Sequence, residues 1–519
     1  MYFLTPKQIL LFFFFLVYTT IISAQNPARE LRGVWIATVK NIDFPSSTKL
    51  TAQEQQKEFS EILDFHQKNG INAVFMQIRP ATDAFYASPY EPWSEWLNGK
   101  QGKAPSPFYD PLVYMIEQSH QRSMEFHAWF NPYRAVVDID KDSLKTDEFH
   151  ITRRKPEWFV RYGKNLYFNP GIPEARDYVI QVIMDVARRY EVDGIHFDDY
   201  FYPYRIANED FKDSLAFEKY KGEFTNRDDW RRNNVDILIQ RLSDSLQTVK
   251  PHIKFGVSPF GVWRNSDKDS LGSKSRAGQT CYDDLYADVR KWLQKGWIDY
   301  IAPQIYFSIG YPLADYQILA EWWRKNSFGR HLYIGHAAYK IKQNADSNWF
   351  QPDQIAKQIS LNRQSPEIQG SIYFSAKSFK TNPLQINEQL QNHLYKTPAL
   401  WPLMPWKKPM PFANLLNTKW LNNNRVVELT WELESLNNLG YVLIYRKLGK
   451  EIPPLTPENL LAIVPASQLK HLDTKAKKRK IYTYLIQTTD RLHNISPQER
   501  QFSLKLKGKR KLKFYSILK

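Results

Sequence analysis

The sequence predicts an α/β chain: a (β/α)8 barrel over residues 28–400, then a small all-β sandwich of fibronectin type III kind. Three observations carry this. Apolar strand-like runs alternate with helical patterns between residues 31 and 376. A Pro-rich stretch then breaks the pattern, and the remaining chain alternates in short runs without a long helix. At 519 residues the chain is too long for one ordinary core, so two folded units are expected.

The N-terminus reads as an export signal. Lys7 gives the positive flank, residues 9–22 are apolar almost throughout, and Ser23-Ala24 supplies small residues for cleavage. Residues 1–24 are therefore expected to be removed, since the apolar run is short of the ~20 residues that span a bilayer. No cysteine follows the run, so a lipid-anchored protein is not expected, and the mature chain is placed in the periplasm or outer envelope.

The strand-like runs are Leu31–Val39, Ile71–Arg79, Met124–Phe130, Val192–Asp198, Lys254–Pro259, Ile298–Tyr306, His331–His336 and Gly370–Ser375. Between them, Gln53–Lys68 repeats apolar residues at Phe59, Ile62 and Leu63 and closes on Asn69-Gly70. Glu174–Tyr190, Val235–Val249, Leu285–Gln294 and Leu313–Lys325 show the same periodicity. No Gly-rich phosphate fingerprint follows a strand, so neither a dinucleotide fold nor a cofactor is expected.

Residues 401–412 read as a Pro-rich linker and residues 413–519 as the sandwich. Strands are expected at Val426–Trp431, Tyr441–Arg446, Ile481–Thr488 and Gln501–Leu506. The formal net charge of +17 concentrates here: residues 401–519 hold 22 Lys/Arg against 8 Asp/Glu. Such a basic module suits an anionic envelope surface, and export argues against nucleic acid. Cys281 is the sole cysteine, so no intramolecular disulfide forms; it reads as a structural thiol at the start of a helix.

In a parallel barrel, the C-terminal strand ends converge on one mouth. Those ends supply Trp35, Gln77, Arg79, Trp129, Asn131, Tyr133, Arg134, Ser258, Gln304, Tyr306, His336 and Tyr339. The most informative is Val192-Asp193-Gly194-Ile195-His196-Phe197-Asp198-Asp199-Tyr200, where an apolar strand ends in two carboxylates. Strand alternation puts His196, Asp198 and Tyr200 on the mouth face and Asp199 on the other. Arg79 needs a counter-charge, for which Asp83 and Asp198 are candidates. Asp198, Asp199 and Asp83 are the candidate catalytic carboxyls. The residues Trp35, Arg79, Glu91, His127, Trp129, Asn131, Tyr133, Arg134, His196, Tyr200, Ser258, Gln304 and Tyr306 are candidates for holding a sugar. Rings stack on pyranose faces, while amides, guanidinium and carboxylate bond the hydroxyls.

Other chemistries find less support. His127, His196 and His336 fall on different strands with no paired-ligand spacing, so no metal is expected. Ser258 lacks a Gly-flanked nucleophile elbow.

The runs Glu30-Leu31-Arg32-Gly33-Val34-Trp35, Gln77-Ile78-Arg79-Pro80 with Asp83 and Glu91-Pro92-Trp93, His127–Arg134 and Asp193–Tyr200 together resemble the glycosyl-hydrolase-like 10 family. The resemblance covers roughly residues 28–400. It implies an exported (β/α)8 barrel that cleaves envelope glycan, with peptidoglycan strands stripped of stem peptides as substrate class. The Asp193–Tyr200 run also looks like the fourth-strand motif of family-18 chitinases, which carry their acidic glutamate where this chain has Tyr200. Two functions are therefore expected: a carboxylate-dependent glycoside hydrolase, or a wall-binding protein that has lost turnover.

Overall fold

Parallel strands wind into a closed barrel: β1 (Leu31–Ile36), β2 (Ala73–Arg79), β3 (Glu125–Phe130), β4 (Gly194–Phe197), β5 (Lys254–Val257), β6 (Tyr300–Ile301), β7 (His331–His336) and β8 (Ile368–Tyr373). They pair in sequence order, and β8 returns to β1 with Leu31 opposite Gly370. The structure is a computed structural model that describes residues 26–142, 146–423, 426–505 and 513–515; the expected export signal at 1–24 lies outside these residues.

Helices α1 (Ala52–Lys68), α2 (Pro111–Gln121), α3 (Pro173–Arg189), α4 (Arg227–Val249), α5 (Val289–Lys295), α6 (Tyr316–Lys325) and α7 (Gln354–Asn362) follow successive strands. A capping box between Thr51 and Glu54 starts α1, and Gly70 at φ +79° ends its turn. Asn226 starts α4 a full two turns before the expected position; those turns are charged and carry little apolar signal. Strand β6 is much shorter than expected because Pro303 has no N–H for a ladder. Cys281 lies in a buried turn, not at a helix start, since α5 begins only at Val289. The loop after β3 holds a three-stranded sheet, Arg134–Val136 with Asn165–Phe168 and Phe159–Tyr162, which the sequence did not suggest.

The barrel interior is polar and aromatic. Glu125, His127 and Trp129 alternate inward along β3. Their bulk is accommodated by glycines on neighbouring strands. A Cβ at Gly194 would lie 2.2 Å from His127 Nδ1, and one at Gly256 2.1 Å from the Tyr300 ring.

The C-terminal module comprises β9 (Leu415–Asn423), β10 (Val426–Leu433), β11 (Leu439–Leu448), β12 (Leu460–Pro465), β13 (Lys470–Asp473), β14 (Ile481–Asp490), β15 (Ile495–Lys505) and β16 (Lys513–Tyr515). These form antiparallel sheets in the orders β9-β10-β13 and β12-β11-β14-β15-β16. Val427, Leu429 and Trp431 from one sheet meet Val442, Ile444 and Tyr484 from the other. The basic run at 506–512 lies outside the described residues.

The Pro-rich stretch is packed rather than extended. Trp401 is buried, donates from Nε1 to the Asn72 carbonyl at 2.9 Å, and stacks on Tyr441 at 4.6 Å. Farther on, Trp406 Nε1 and the Lys407 ammonium both reach Asp299 at 2.9 Å.

Candidate active site

Strand β4 ends at Phe197, so Asp198 and Asp199 sit in the loop beyond it. The strand alternation that would separate them no longer applies. Both carboxyls line one cavity of about 290 Å³ at the C-terminal mouth. Trp35, Trp129, Arg134, Tyr200, Ser258, Gln304 and Tyr306 line it too, as do Ala37, Val39, Ile42, Gln77, Tyr204, Tyr339 and Phe374. A larger groove, about 920 Å³, lies at the opposite face between barrel and module and has none of this aromatic wall.

One side of the cavity is aromatic. Tyr306, Tyr339 and Phe374 pack with ring centroids 5.9–6.2 Å apart, and Trp35 adjoins Phe374 at 6.4 Å. Gln77 accepts from the Thr38 and Val39 amides at 3.0 and 2.9 Å, which fixes the chain leaving β1. Gln304 donates to the Ser258 carbonyl at 2.9 Å and ties the ends of β5 and β6 together.

The two carboxyls have unlike surroundings. Asp198 accepts from Asn131 Nδ2 at 3.1 and 3.0 Å, from Trp129 Nε1 at 3.1 Å and from the Tyr200 amide at 3.4 Å. Burial raises its pKa above the ordinary carboxylate value, while Arg134 and these donors pull it back. Arg134 is itself fixed: its amide donates to Asn131 Oδ1 at 2.8 Å, and its guanidinium lies 5.4 Å over the Tyr200 ring. Asp199 has the Tyr204 hydroxyl as its close partner. Burial, reinforced by the adjacent Asp198 charge, pushes its pKa up to about 7 despite that bond. Asp198 is thus the carboxyl offset by a cation and N–H donors, and Asp199 the one that keeps a proton to about neutrality.

Several expected site residues lie elsewhere. Arg79 pairs with Glu91, not with Asp83 or Asp198; the contacts are 2.6 and 2.7 Å, and both side chains are wholly buried. Arg79 also donates to the Asn131 carbonyl at 2.6 Å, so the pair braces the loop behind Asp198. Asp83 lines a separate small cavity with Glu95, Gln101 and Thr146, where burial pushes its pKa up to about 7. His127 and His196 are buried beneath the cavity, and Tyr133 is buried in the core beside it. Asn131 acts through Asp198. His336 is satisfied by Gln358 and Ser371, so the three histidines do not converge. Among the described residues no cluster of His, Cys, Asp or Glu is arranged to hold a metal.

Tyr204 and Phe374 were absent from the expected set, although they sit in an aromatic loop and a strand end, and Tyr339 was read at a strand end without a sugar-holding role. Val39 and Ile42 carry no sequence signal, since an apolar residue at a mouth looks like one in a core.

The cavity pairs two carboxyls with an aromatic wall, and the chain is similar to several named proteins. It is 48% identical over 486 residues to glycosyl hydrolase YngK of Bacillus subtilis strain 168, covering 90% of this chain and 92% of that protein. It is 38% identical over 376 residues to glycosyl hydrolase DigH of Escherichia coli K12, covering 68% of this chain and 84% of that one. Among solved structures it is similar to α-L-fucosidase isoenzyme 2 from Paenibacillus thiaminolyticus, with TM-score 0.43 and 14% identity over 71% of this chain and 49% of that one. It also matches the spore cortex-lytic enzyme SleL of Bacillus megaterium QM B1551, with TM-score 0.40 and 10% identity over 71% and 75%. The profile of the glycosyl hydrolase-like 10 family matches residues 30–351, and the chain belongs to that family.

Proposed function

We propose that this protein is an exported glycoside hydrolase that cleaves envelope polysaccharide, specifically peptidoglycan glycan strands without stem peptides. The observation that carries the catalytic part is the pairing of unlike carboxyls in one aromatic-walled cavity. Asp199 holds the proton that the leaving glycosidic oxygen requires. Asp198, held by N–H donors, stays ionised to stabilise positive charge at the anomeric carbon, or to orient an N-acetyl group that attacks it. Tyr306 faces the same cavity and supplies a hydroxyl to such a group. The substrate class rests on the family resemblance, and export rests on the N-terminal signature.

The second reading, a wall-binding protein without turnover, is favoured by Tyr200 at the position where family-18 chitinases carry their acid. The test is mass spectrometry of soluble products from mature protein given intact sacculi or peptide-stripped strands. Fragments from stripped strands alone support the proposal. No product from either, with the protein bound to sacculi, supports the binder.

A further inference from the structure

The catalytic scheme leaves a set of buried polar residues unused, and they form one continuous column along the barrel axis. An indole N–H can only donate. His196 Nε2, 3.1 Å from Trp35 Nε1, is therefore an acceptor, and its ring proton sits on Nδ1. That proton meets the Tyr300 hydroxyl at 3.0 Å, and the hydroxyl in turn donates to His127 Nδ1 at 2.9 Å. His127 Nε2 is left to donate to Glu125 Oε2 at 3.1 Å. The other oxygen of Glu125 receives His493 Nε2 at 2.5 Å and the Lys254 ammonium. At the mouth, Ser258 Oγ joins His196 Nε2 at 3.0 Å. Because the indole must donate, the run from Trp35 through His196, Tyr300 and His127 to Glu125 has one polarity, from a cavity tryptophan to a carboxylate at the barrel floor.

The floor belongs to the other unit. His493 lies in the turn between β14 and β15, is 3% exposed, and stacks on Trp401 at 4.5 Å. The apolar core is also continuous across this boundary, from Trp35, Phe75 and Tyr333 through Leu400 and Trp401 to Tyr441 and Leu443.

We propose that the C-terminal module is a working part of the sugar site. His493, through Glu125 and the column, fixes the Trp35 indole against the cavity and is a positioning residue for glycan binding. This rests on the glycoside hydrolase reading of that cavity.

The test uses full-length protein with His493→Leu, which leaves Lys254 paired with Glu125, and His493→Gln, which keeps an N–H for Glu125. Three quantities are measured: KM and kcat on peptide-stripped strands, and hydrogen exchange of the Trp35 indole N–H, assigned by its loss in Trp35→Phe. His493→Leu is expected to raise KM about tenfold with kcat within about twofold, and to speed the indole exchange; His493→Gln restores both. A folded His493→Leu protein with wild-type KM and exchange would overturn the proposal. Faster exchange in a protein whose wild type neither binds nor cuts glycan would keep the column but remove its glycan role, and with it the function proposed above.

Discussion

Asp198 and Asp199 are neighbours in sequence and line the same cavity, yet Asp198 is held by three N–H donors from Trp129, Asn131 and Tyr200 while Asp199 is held by the hydroxyl of Tyr204. Burial raises both carboxyls, but only Asp199 also feels a neighbouring negative charge as its second-largest influence, and it reaches about 7. The difference supports the proposed division of roles, with Asn131 acting from behind the cavity wall.

The pH profile tests that assignment through Tyr204. Its bond lowers the Asp199 pKa, opposing burial, so removing it raises that pKa further. The basic limb of kcat/KM is expected near pH 7 in the wild type, where the acid loses its proton. In Tyr204→Phe it should move up by about half to one pH unit. A limb that stays put or moves down would remove Asp199 from the acid role.

Asp83 gives a stability test independent of catalysis. The folded protein keeps its proton to about 7, whereas an unfolded Asp releases it near 3.9. Its contribution to stability is therefore full below the unfolded value and is lost as pH rises through about 7. Asp83→Asn should gain on the wild type between pH 5 and pH 8 by on the order of 2–3 kcal/mol, read by urea unfolding at each pH. Its kcat should be unchanged.

The Arg79–Glu91 pair is expected to brace the fold and not to bind sugar. Arg79→Met strands a buried carboxylate and should cost about 3–5 kcal/mol of stability. Arg79→Met with Glu91→Leu should recover most of that loss in the same unfolding measurement. A stable single variant with a raised KM would return Arg79 to the sugar.

The module's basic loop tests envelope adhesion. Lys477, Lys478 and Lys480 are exposed in the turn before β14. Replacing all three with Gln should weaken co-sedimentation with sacculi several-fold at low salt and little at high salt, while leaving turnover on soluble strands unchanged. Equal binding at both salt concentrations would exclude an electrostatic anchor.

The barrel was legible because buried parallel strands read as apolar runs between amphipathic helices, and seven of its strands lie close to the expected runs. The exceptions have local causes: Pro303 cuts β6 short, and the charged turns of α4 hide its start. The cavity was partly legible for a related reason. The strand-end rule says which face of the barrel a residue approaches, and so found Trp35, Trp129, Asp198 and Tyr306. It gives no depth. His127 and His196 point inward as expected but lie one layer too low, and Arg79 spends its charge on Glu91, which arrives from the following loop. Asp199 was placed on the wrong face because the ladder stops one residue before Asp198. The apolar rim of Val39 and Ile42 had no distinguishing chemistry.

The proposed carboxylate chemistry is tested most directly by product formation from peptide-stripped strands by wild type and Asp198→Asn, with binding to sacculi followed in parallel. The variant is expected to bind as the wild type does while its turnover falls by ~100-fold or more. Wild-type turnover in a folded Asp198→Asn protein would contradict that chemistry.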